Sequence, residues 1–199
     1  IIGILHSDDV YFNVNTLSNI AKIFKKKKKI EVVYSNVLYS DRNNLKKIKR
    51  IWRNIKLKNN YELPPHTGTF IVKRICDKLK YNTNYYISSD TEFLIKLKKL
   101  KYTKYFFNNF STIMRIGGIS TNFKSLFLKV FEDLRIFRRE NYTIFTYIKK
   151  VFYKINQIFD SENITFSKYL NELNNSSKIN ILNINKFEGI MGDGLYTAL

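Results

Sequence analysis

The chain has 199 residues, of which 44% are hydrophobic and 16% aromatic, which is enough to build the core of one domain and excludes a disordered or fibrous chain. Thirty-five Lys and Arg against 16 Asp and Glu give a formal net charge of +19. This charge favours anionic partners such as nucleic acid, acidic lipid headgroups or phosphorylated substrates. A single cysteine, Cys76, excludes an internal disulfide and fits a reducing compartment.

The chain opens on a continuous apolar run, Ile1-Ile2-Gly3-Ile4-Leu5. Such a run is typical of a central β-strand that is covered on both faces. Because the first residue falls inside this strand, we expect that an N-terminal part of the domain precedes it. The strand is then expected to lack a sheet neighbour, leaving an unpaired edge.

Directly after this strand comes the first of two acidic clusters, His6-Ser7-Asp8-Asp9. Ligands of open α/β sheets bind at the carboxyl ends of strands, and carboxylate oxygens suit Mg²⁺ or Mn²⁺. Asp8 and Asp9 are therefore candidates for a metal site. The alternative is that they are ordinary turn or N-cap residues, since Asp is common before a helix.

Between the two acidic clusters, apolar periodicity predicts helices that alternate with strands. The predicted elements are a helix over 17–24 that ends in lysines, a strand over 30–37, a half-exposed strand within 45–55, a strand over 66–72 and a short helix over 73–79. This alternation predicts an α/β fold.

The second acidic cluster, Ser88-Ser89-Asp90-Thr91-Glu92, opens an apolar-periodic segment. Ser89 followed three residues later by Glu92 predicts a capping box at the start of a helix. Asp90 in the first turn is either a residue that stabilises the helix dipole or a general base that takes a proton from a hydroxyl group. Its position alone does not decide between them.

The remainder of the chain predicts strand structure over 102–115, a turn at Gly117-Gly118, and aromatic and basic helices over about 123–159. The segment 160–177 is predicted to be a polar linker, and 178–184 a strand that precedes a glycine-containing stretch. We divide the chain into a domain over 1–121, basic amphipathic helices over 122–160, and a linker with the start of a further α/β segment over 161–199.

Taken in order, the strings IIGILHSDDVY, EVVYSNV, LPPHTGTFIVKR, ISSDTEFLIKL and IMRIGGIST resemble the family-2 glycosyltransferases of the GT-A fold, in the branch that builds bacterial surface polysaccharides. The resemblance runs from residue 1 to about residue 121. It implies a GT-A-like mixed sheet flanked by helices. Since that family begins with βα units that bind the nucleoside, it also implies that those units are missing here and that the chain is inactive alone.

The resemblance implies a role for the first acidic cluster. Asp8 and Asp9 match the strand-end motif that binds a divalent cation, Mg²⁺ or Mn²⁺, and the diphosphate of the sugar-nucleotide donor. His6 stands where the usual D-x-D pattern of the family has its first acid, which is a departure from that pattern.

It also implies roles for residues later in the chain. Asp90 matches the catalytic base, although Ser89 stands where an acid often precedes that base. His66 and Thr67 match the segment that lines the acceptor side. The matched active-site loop consists of Arg115, Gly117 and Gly118.

The implied activity is inverting transfer of a sugar from a nucleotide-sugar donor to a hydroxyl group of a glycan or lipid-linked acceptor. The expected location is cytoplasmic, peripheral to the inner face of the membrane, where the basic helices would contact anionic lipid. Two alternatives remain. One is a basic nucleic-acid-binding module, which no recognised motif supports, and the other is an inactive glycosyltransferase remnant.

Overall fold

A computed structural model describes residues 1–53, 59, 61–117, 123–163 and 195–198. These residues form seven strands, five α-helices and a 3₁₀ turn over His66–Gly68. The strands are β1 Ile2–Leu5, β2 Val10–Tyr11, β3 Val32–Ser40, β4 Ile48–Trp52, β5 Thr69–Ile71, β6 Lys104–Arg115 and β7 Leu195–Ala198. The helices are α1 Thr16–Lys26, α2 Lys73–Leu79, α3 Ser89–Lys99, α4 Phe123–Arg139 and α5 Ile144–Asn163.

The strands form one mixed sheet in the order β2-β6-β3-β5-β1-β7, with β4 paired to the far half of β3. Of the pairings, β3 with β6 is parallel and the others are antiparallel. The predicted α/β class is confirmed. β1 is paired on both sides, by β5 and β7, so the expected unpaired edge at the first strand was wrong.

Both faces of β3 are covered, because its side chains alternate between two apolar clusters. Val32 and Tyr34 pack with residues of α2, α3 and α4, whereas Val33 packs with Ile20 of α1 and with Phe70. The sheet is thus a central layer with α1 on one face and the remaining helices on the other. The predicted coverage of β1 is only partial, since Ile2 and Ile4 are half-buried and line a cavity of about 280 Å³.

Several predicted elements differ in their bounds. The strand predicted over 66–72 is a 3₁₀ turn followed by the three-residue β5, because Pro65 holds the chain in an extended conformation just before the turn and cannot donate to a ladder. The segment 102–115 holds a single long strand whose pairing to β3 shifts in register near Asn36. The strand predicted over 178–184 lies outside the described residues.

The capping box at α3 was also wrong. The N-cap is Ser88, which makes no side-chain cap hydrogen bond, and Glu92 is buried and paired with Lys96 at 3.0 Å. The loop before α3 is instead held by Glu132 of α4, whose carboxylate accepts the backbone N–H groups of residues 86, 87 and 88 at 2.8–2.9 Å. Glu132, which is distant in the chain, thus binds the backbone N–H groups before α3 that Glu92 was predicted to help cap. It can do so because one carboxylate accepts several N–H groups at once.

The aromatic and basic segment predicted to be helical forms α4 and α5, which pack on each other and, through α5, on β4. Among the described helices, none is at once long enough and apolar enough to cross a lipid bilayer.

Gly68, at the end of the 3₁₀ turn, has no room for a side chain. A Cβ atom there would lie 2.7 Å from the backbone oxygen of Ser35 and 2.9 Å from Val37. Because backbone cannot give way cheaply, we expect Gly68→Ala to lower the free energy of unfolding by about 1–3 kcal/mol. Urea denaturation measures this loss, and an unchanged midpoint would contradict the tight packing at this turn.

Candidate functional site

The topology brings several strand ends to one edge of the sheet. β1 is antiparallel to β5, β5 is antiparallel to β3, and β3 is parallel to β6. The carboxyl ends of β1, β3 and β6 therefore share an edge, which is where open α/β sheets bind ligands. The acidic cluster after β1, Arg115 at the end of β6, and His66 just before β5 all lie there.

The first acidic cluster forms a compact group of potential metal ligands. One ligand atom each from His6, Asp8 and Asp9 lie within 4.8 Å of one another. Asp8 is exposed and Asp9 is buried, so the group is open on one side. Its imidazole and carboxylate donors suit Mn²⁺ and, through the carboxylates, Mg²⁺.

Asp9 carries the strongest indication that a cation belongs in this group. Its Oδ1 accepts the backbone N–H of Arg115 at 3.1 Å. Its Oδ2 is buried and has no hydrogen-bond partner among the described residues. Burial raises the pKa of this carboxyl to about 7, against the lowering effect of Arg115. A buried, unpartnered carboxylate oxygen is costly, and a bound divalent cation would satisfy it.

Arg115 ties the loop after β1 to the end of β6. Its Nε donates to the backbone oxygen of Asp8 at 2.8 Å, and its Nη1 donates to the backbone oxygen of Arg42 at 2.6 Å. The guanidinium is therefore used to position the acidic loop. The resemblance implies that Arg115 belongs to an active-site loop, and in the structure it binds the side chain of Asp9 and the backbone of Asp8.

The two acidic clusters meet through two histidines. His66 Nδ1 lies 3.4 Å from Asp90 Oδ2, and His66 Nε2 lies 2.7 Å from Nε2 of His6. Burial lowers the pKa of His66 to about 4, although Asp90 opposes this shift, so the ring is neutral at pH 7. With its Nδ1 proton directed at the carboxylate, the neutral ring of His66 would accept a hydrogen bond at Nε2 from His6.

Asp90 lies at the amino end of α3 with its side chain 33% exposed. Burial alone would raise the pKa of its carboxyl, but His66 and the nearby lysines Lys129 and Lys154 outweigh it and lower the pKa to about 2. His66 is neutral at pH 7 but protonated at the low pH where Asp90 takes up its proton, so it contributes to this shift together with the lysines. Asp90 is therefore an ionised, partly accessible proton acceptor across the neutral pH range.

The remaining predicted site residues are Thr67, Gly117 and Gly118. Thr67 is fully buried, and its backbone oxygen accepts the hydroxyl of Thr112 at 3.0 Å, so its side chain does not line an open cleft in this conformation. Gly117 adopts a φ of +113° and its carbonyl accepts from Arg42 at 3.1 Å. Gly118 lies outside the described residues.

The structure also brings residues to Asp90 that the sequence did not single out. Lys129 of α4 and Lys150 and Lys154 of α5 all lie close enough to influence its pKa. Their spacing carried a signal, because Lys150 and Lys154 are one helical turn apart, as are Lys129 and Asp133. The same spacing is equally typical of a solvated helix surface. Only the packing of α5 shows that these lysines lie near Asp90.

This edge of the sheet therefore holds a candidate cation site, an ionised carboxylate, and a pair of histidines that joins them. Comparison with known proteins found no protein-family model, curated protein or solved structure that matches the chain.

Proposed function

We propose that the chain is the metal-binding and acceptor-binding part of an inverting glycosyltransferase with a GT-A-like fold. The observation that carries this proposal is the convergence of two acidic clusters that lie about eighty positions apart in the chain. Asp8 and Asp9 connect to Asp90 through His6 and His66. A cation site beside an accessible base is what transfer from a nucleotide sugar requires.

In the proposed reaction, a hydroxyl group of the acceptor attacks the anomeric carbon of the donor. Asp90 accepts the hydroxyl proton as the new carbon–oxygen bond forms. The bond between the anomeric carbon and the diphosphate oxygen breaks, and its electron pair leaves with the nucleoside diphosphate. The configuration inverts, and no covalent intermediate between sugar and enzyme is needed, in contrast to retaining glycosidases.

The residues of the first cluster would hold the cation, with Asp9 as the buried ligand and Asp8 and His6 completing the set. A bound Mg²⁺ or Mn²⁺ would offset the negative charge of the diphosphate. The role of Arg115 is to keep the acidic loop in place from the end of β6. His66 keeps Asp90 oriented, since its ring lies between Asp90 and His6.

The same proposal places the protein on a membrane surface with a glycan or lipid-linked acceptor. Aromatic and aliphatic side chains of α4 and α5 are exposed, and the most exposed are Phe127, Phe131, Ile144, Phe145 and Phe152. Amphipathic helices that combine such side chains with lysines bind anionic bilayer interfaces. This arrangement supports a cytoplasmic enzyme that is peripheral to the membrane.

The proposal is tested with Asp90→Asn, which keeps the size of the side chain and removes its basicity. The variant and the wild type are compared in a protein that carries the nucleoside-binding units, because the resemblance implies that these units are needed for activity. Release of nucleoside diphosphate from a panel of nucleotide sugars with Mn²⁺ is expected to fall by a factor of about 10²–10⁴, as for loss of a general base. Binding of Mn²⁺ with pyrophosphate, measured by calorimetry, is expected to persist because Asp90 is not a ligand.

The matched control is Asp77→Asn, which removes an exposed acid of α2. Undiminished nucleotide release in Asp90→Asn would reject the role of Asp90. Failure of the wild-type chain to bind pyrophosphate in the presence of Mn²⁺ would reject the transferase proposal itself, whatever the turnover.

A further inference from the structure

Three lysines from the two C-terminal helices converge beside Asp90, and we call them the lysine cluster: Lys129, Lys150 and Lys154. Lys150 is 2% exposed and its Nζ lies 2.7 Å from Oδ2 of Asp133. Lys129 Nζ lies 3.7 Å from the other oxygen of the same carboxylate and 3.3 Å from the hydroxyl of Ser88. One acid thus serves two of the three lysines.

Lys154 has no ion-pair partner among the described carboxylates, and its Nζ lies 5.3 Å from the ring centre of Trp52. It is half-buried, and burial together with Lys150 and Lys129 lowers its pKa to about 7. Gathering positive charge in this way is unfavourable for the empty protein. Such an arrangement is typical of a site that is completed by an anion.

Strand β4, which α5 packs on and whose Trp52 lies next to Lys154, offers further donors. Arg50 of β4 stacks on Tyr39 at 3.9 Å and lies 5.5 Å from the ring of Trp52. Two buried N–H groups here, Arg50 Nε and Trp52 Nε1, have no hydrogen-bond partner among the described residues. Trp52 is only 6% exposed, so water does not readily compensate its free donor. Buried donors of this kind are satisfied by an acceptor-rich ligand.

The charges around the lysine cluster indicate what it would bind. The lysine cluster and Arg50 supply up to four cationic groups, the fourth being Lys154, whose protonation a bound anion would favour, whereas Asp133 and Asp90 supply two anionic ones. Asp133 is already engaged by two lysines. The excess of up to two positive charges matches a phosphate group, which brings up to two negative charges and three acceptor oxygens. A carboxylate, with a single negative charge, would balance only half of this positive excess.

We propose that the lysine cluster, with the two N–H groups of β4 that have no partner among the described residues, forms a subsite for a phosphate group of the acceptor beside Asp90. This inference rests on the proposed function, because Asp90 must face the acceptor hydroxyl. The substrate class is then an acceptor that is itself phosphorylated close to the hydroxyl that receives the sugar.

The test is calorimetric binding of inorganic phosphate and of glucose 1-phosphate to the full chain in EDTA, where the cation site cannot contribute. Lys154→Gln and Lys129→Gln are each expected to weaken both ligands about tenfold, the effect of losing one charge-assisted hydrogen bond. Lys149→Gln is the matched control, since Lys149 is an exposed lysine of the same helix. It is expected to bind like the wild type.

Glucuronate distinguishes a phosphate subsite from a general site for acids, and it is expected to bind at least about tenfold more weakly than glucose 1-phosphate. Equal or tighter glucuronate binding would overturn the assignment to phosphate. Equal phosphate binding by the wild type and both lysine variants, or no saturable binding to the wild type, would overturn the subsite.

Binding of Mn²⁺ with pyrophosphate separates this inference from the proposed function. It is expected to be unchanged in Lys154→Gln, because the donor diphosphate is held at the first acidic cluster. A matching loss there would assign the lysines to the donor and overturn the acceptor subsite. If the wild type binds Mn²⁺ with pyrophosphate but not phosphate in EDTA, the subsite fails while the proposed function stands.

Discussion

Asp9→Asn is expected to weaken Mn²⁺ binding strongly and at the same time to make the metal-free protein more stable at pH 8. The carboxylate is buried, its Oδ2 has no partner among the described residues, and Asp8 and His6 alone would remain as ligands. Loss of an outer-shell group already costs about 10–100-fold in metal affinity, so loss of this ligand is expected to cost at least about 100-fold.

The stability effect has the opposite sign because the ionised form of Asp9 is unfavourable in the folded protein. Its pKa rises from 3.8 to about 7, chiefly through burial. The stability that the protonated carboxyl contributes is fully present below pH 3.8 and is lost as the pH rises through about 7. A difference of one pKa unit corresponds to about 1.4 kcal/mol. The neutral amide of Asn is therefore expected to raise the free energy of unfolding of the metal-free protein by up to about 4 kcal/mol above pH 7.

Two measurements on the same samples check this prediction. Calorimetry with Mn²⁺ gives the affinity, and thermal unfolding in EDTA at pH 4 and pH 8 gives the stability. The gain in melting temperature is expected at pH 8 and is expected to vanish near pH 4. Asp77→Asn serves as the control for removal of an exposed acid. A variant that binds Mn²⁺ like the wild type would remove Asp9 from the metal site.

Asp133→Ala is expected to cause the largest loss of stability, about 3–5 kcal/mol. Its carboxylate pairs with Lys150 at 2.7 Å, and both side chains are almost completely buried. Removing the acid leaves Lys150 as an uncompensated buried charge that also faces Lys129 and Lys154. By contrast, Asp77→Ala breaks the exposed pair with Lys73 and is expected to cost no more than about 1 kcal/mol.

The double variant Asp133→Leu with Lys150→Met tests the cause of this loss. It removes both charges, so it is expected to be at least about 2 kcal/mol more stable than Asp133→Ala, as when a buried pair is replaced by apolar groups. A double variant as unstable as the single one would show that packing, and not the unpaired charge, determines the loss.

The pair of Asp133 and Lys150 also makes the stability of the protein depend on pH. Burial by itself would raise the pKa of Asp133, but Lys150 and Lys129 outweigh it and lower the pKa. The stability from this ionised carboxylate is therefore present above the unfolded pKa of 3.8 and is lost as the pH falls through the lower folded pKa. Urea denaturation at pH 7 and below pH 3 is expected to show the gap between wild type and Asp133→Ala narrowing.

The sequence by itself determined the local structure of this protein. The helices over 16–26, 73–79 and 89–99 follow from apolar periodicity, and α2 has the predicted bounds. Asp8 and Asp9 could be placed at a strand end for the same reason. Each of these features depends on residues within a few positions, whose 3.6-residue or two-residue repeats are visible in the chain itself.

Only the tertiary structure decided which of these local features meet. His6 and His66 are sixty positions apart and touch because β1 and β5 are neighbours in the sheet. Glu132 holds the loop before α3 from a helix that begins more than thirty residues later. Lys154 reaches Trp52 because α5 packs on β4. Such contacts depend on strand order and helix packing. The short repeats in the chain carry no information about either, because they reflect only residues a few positions apart.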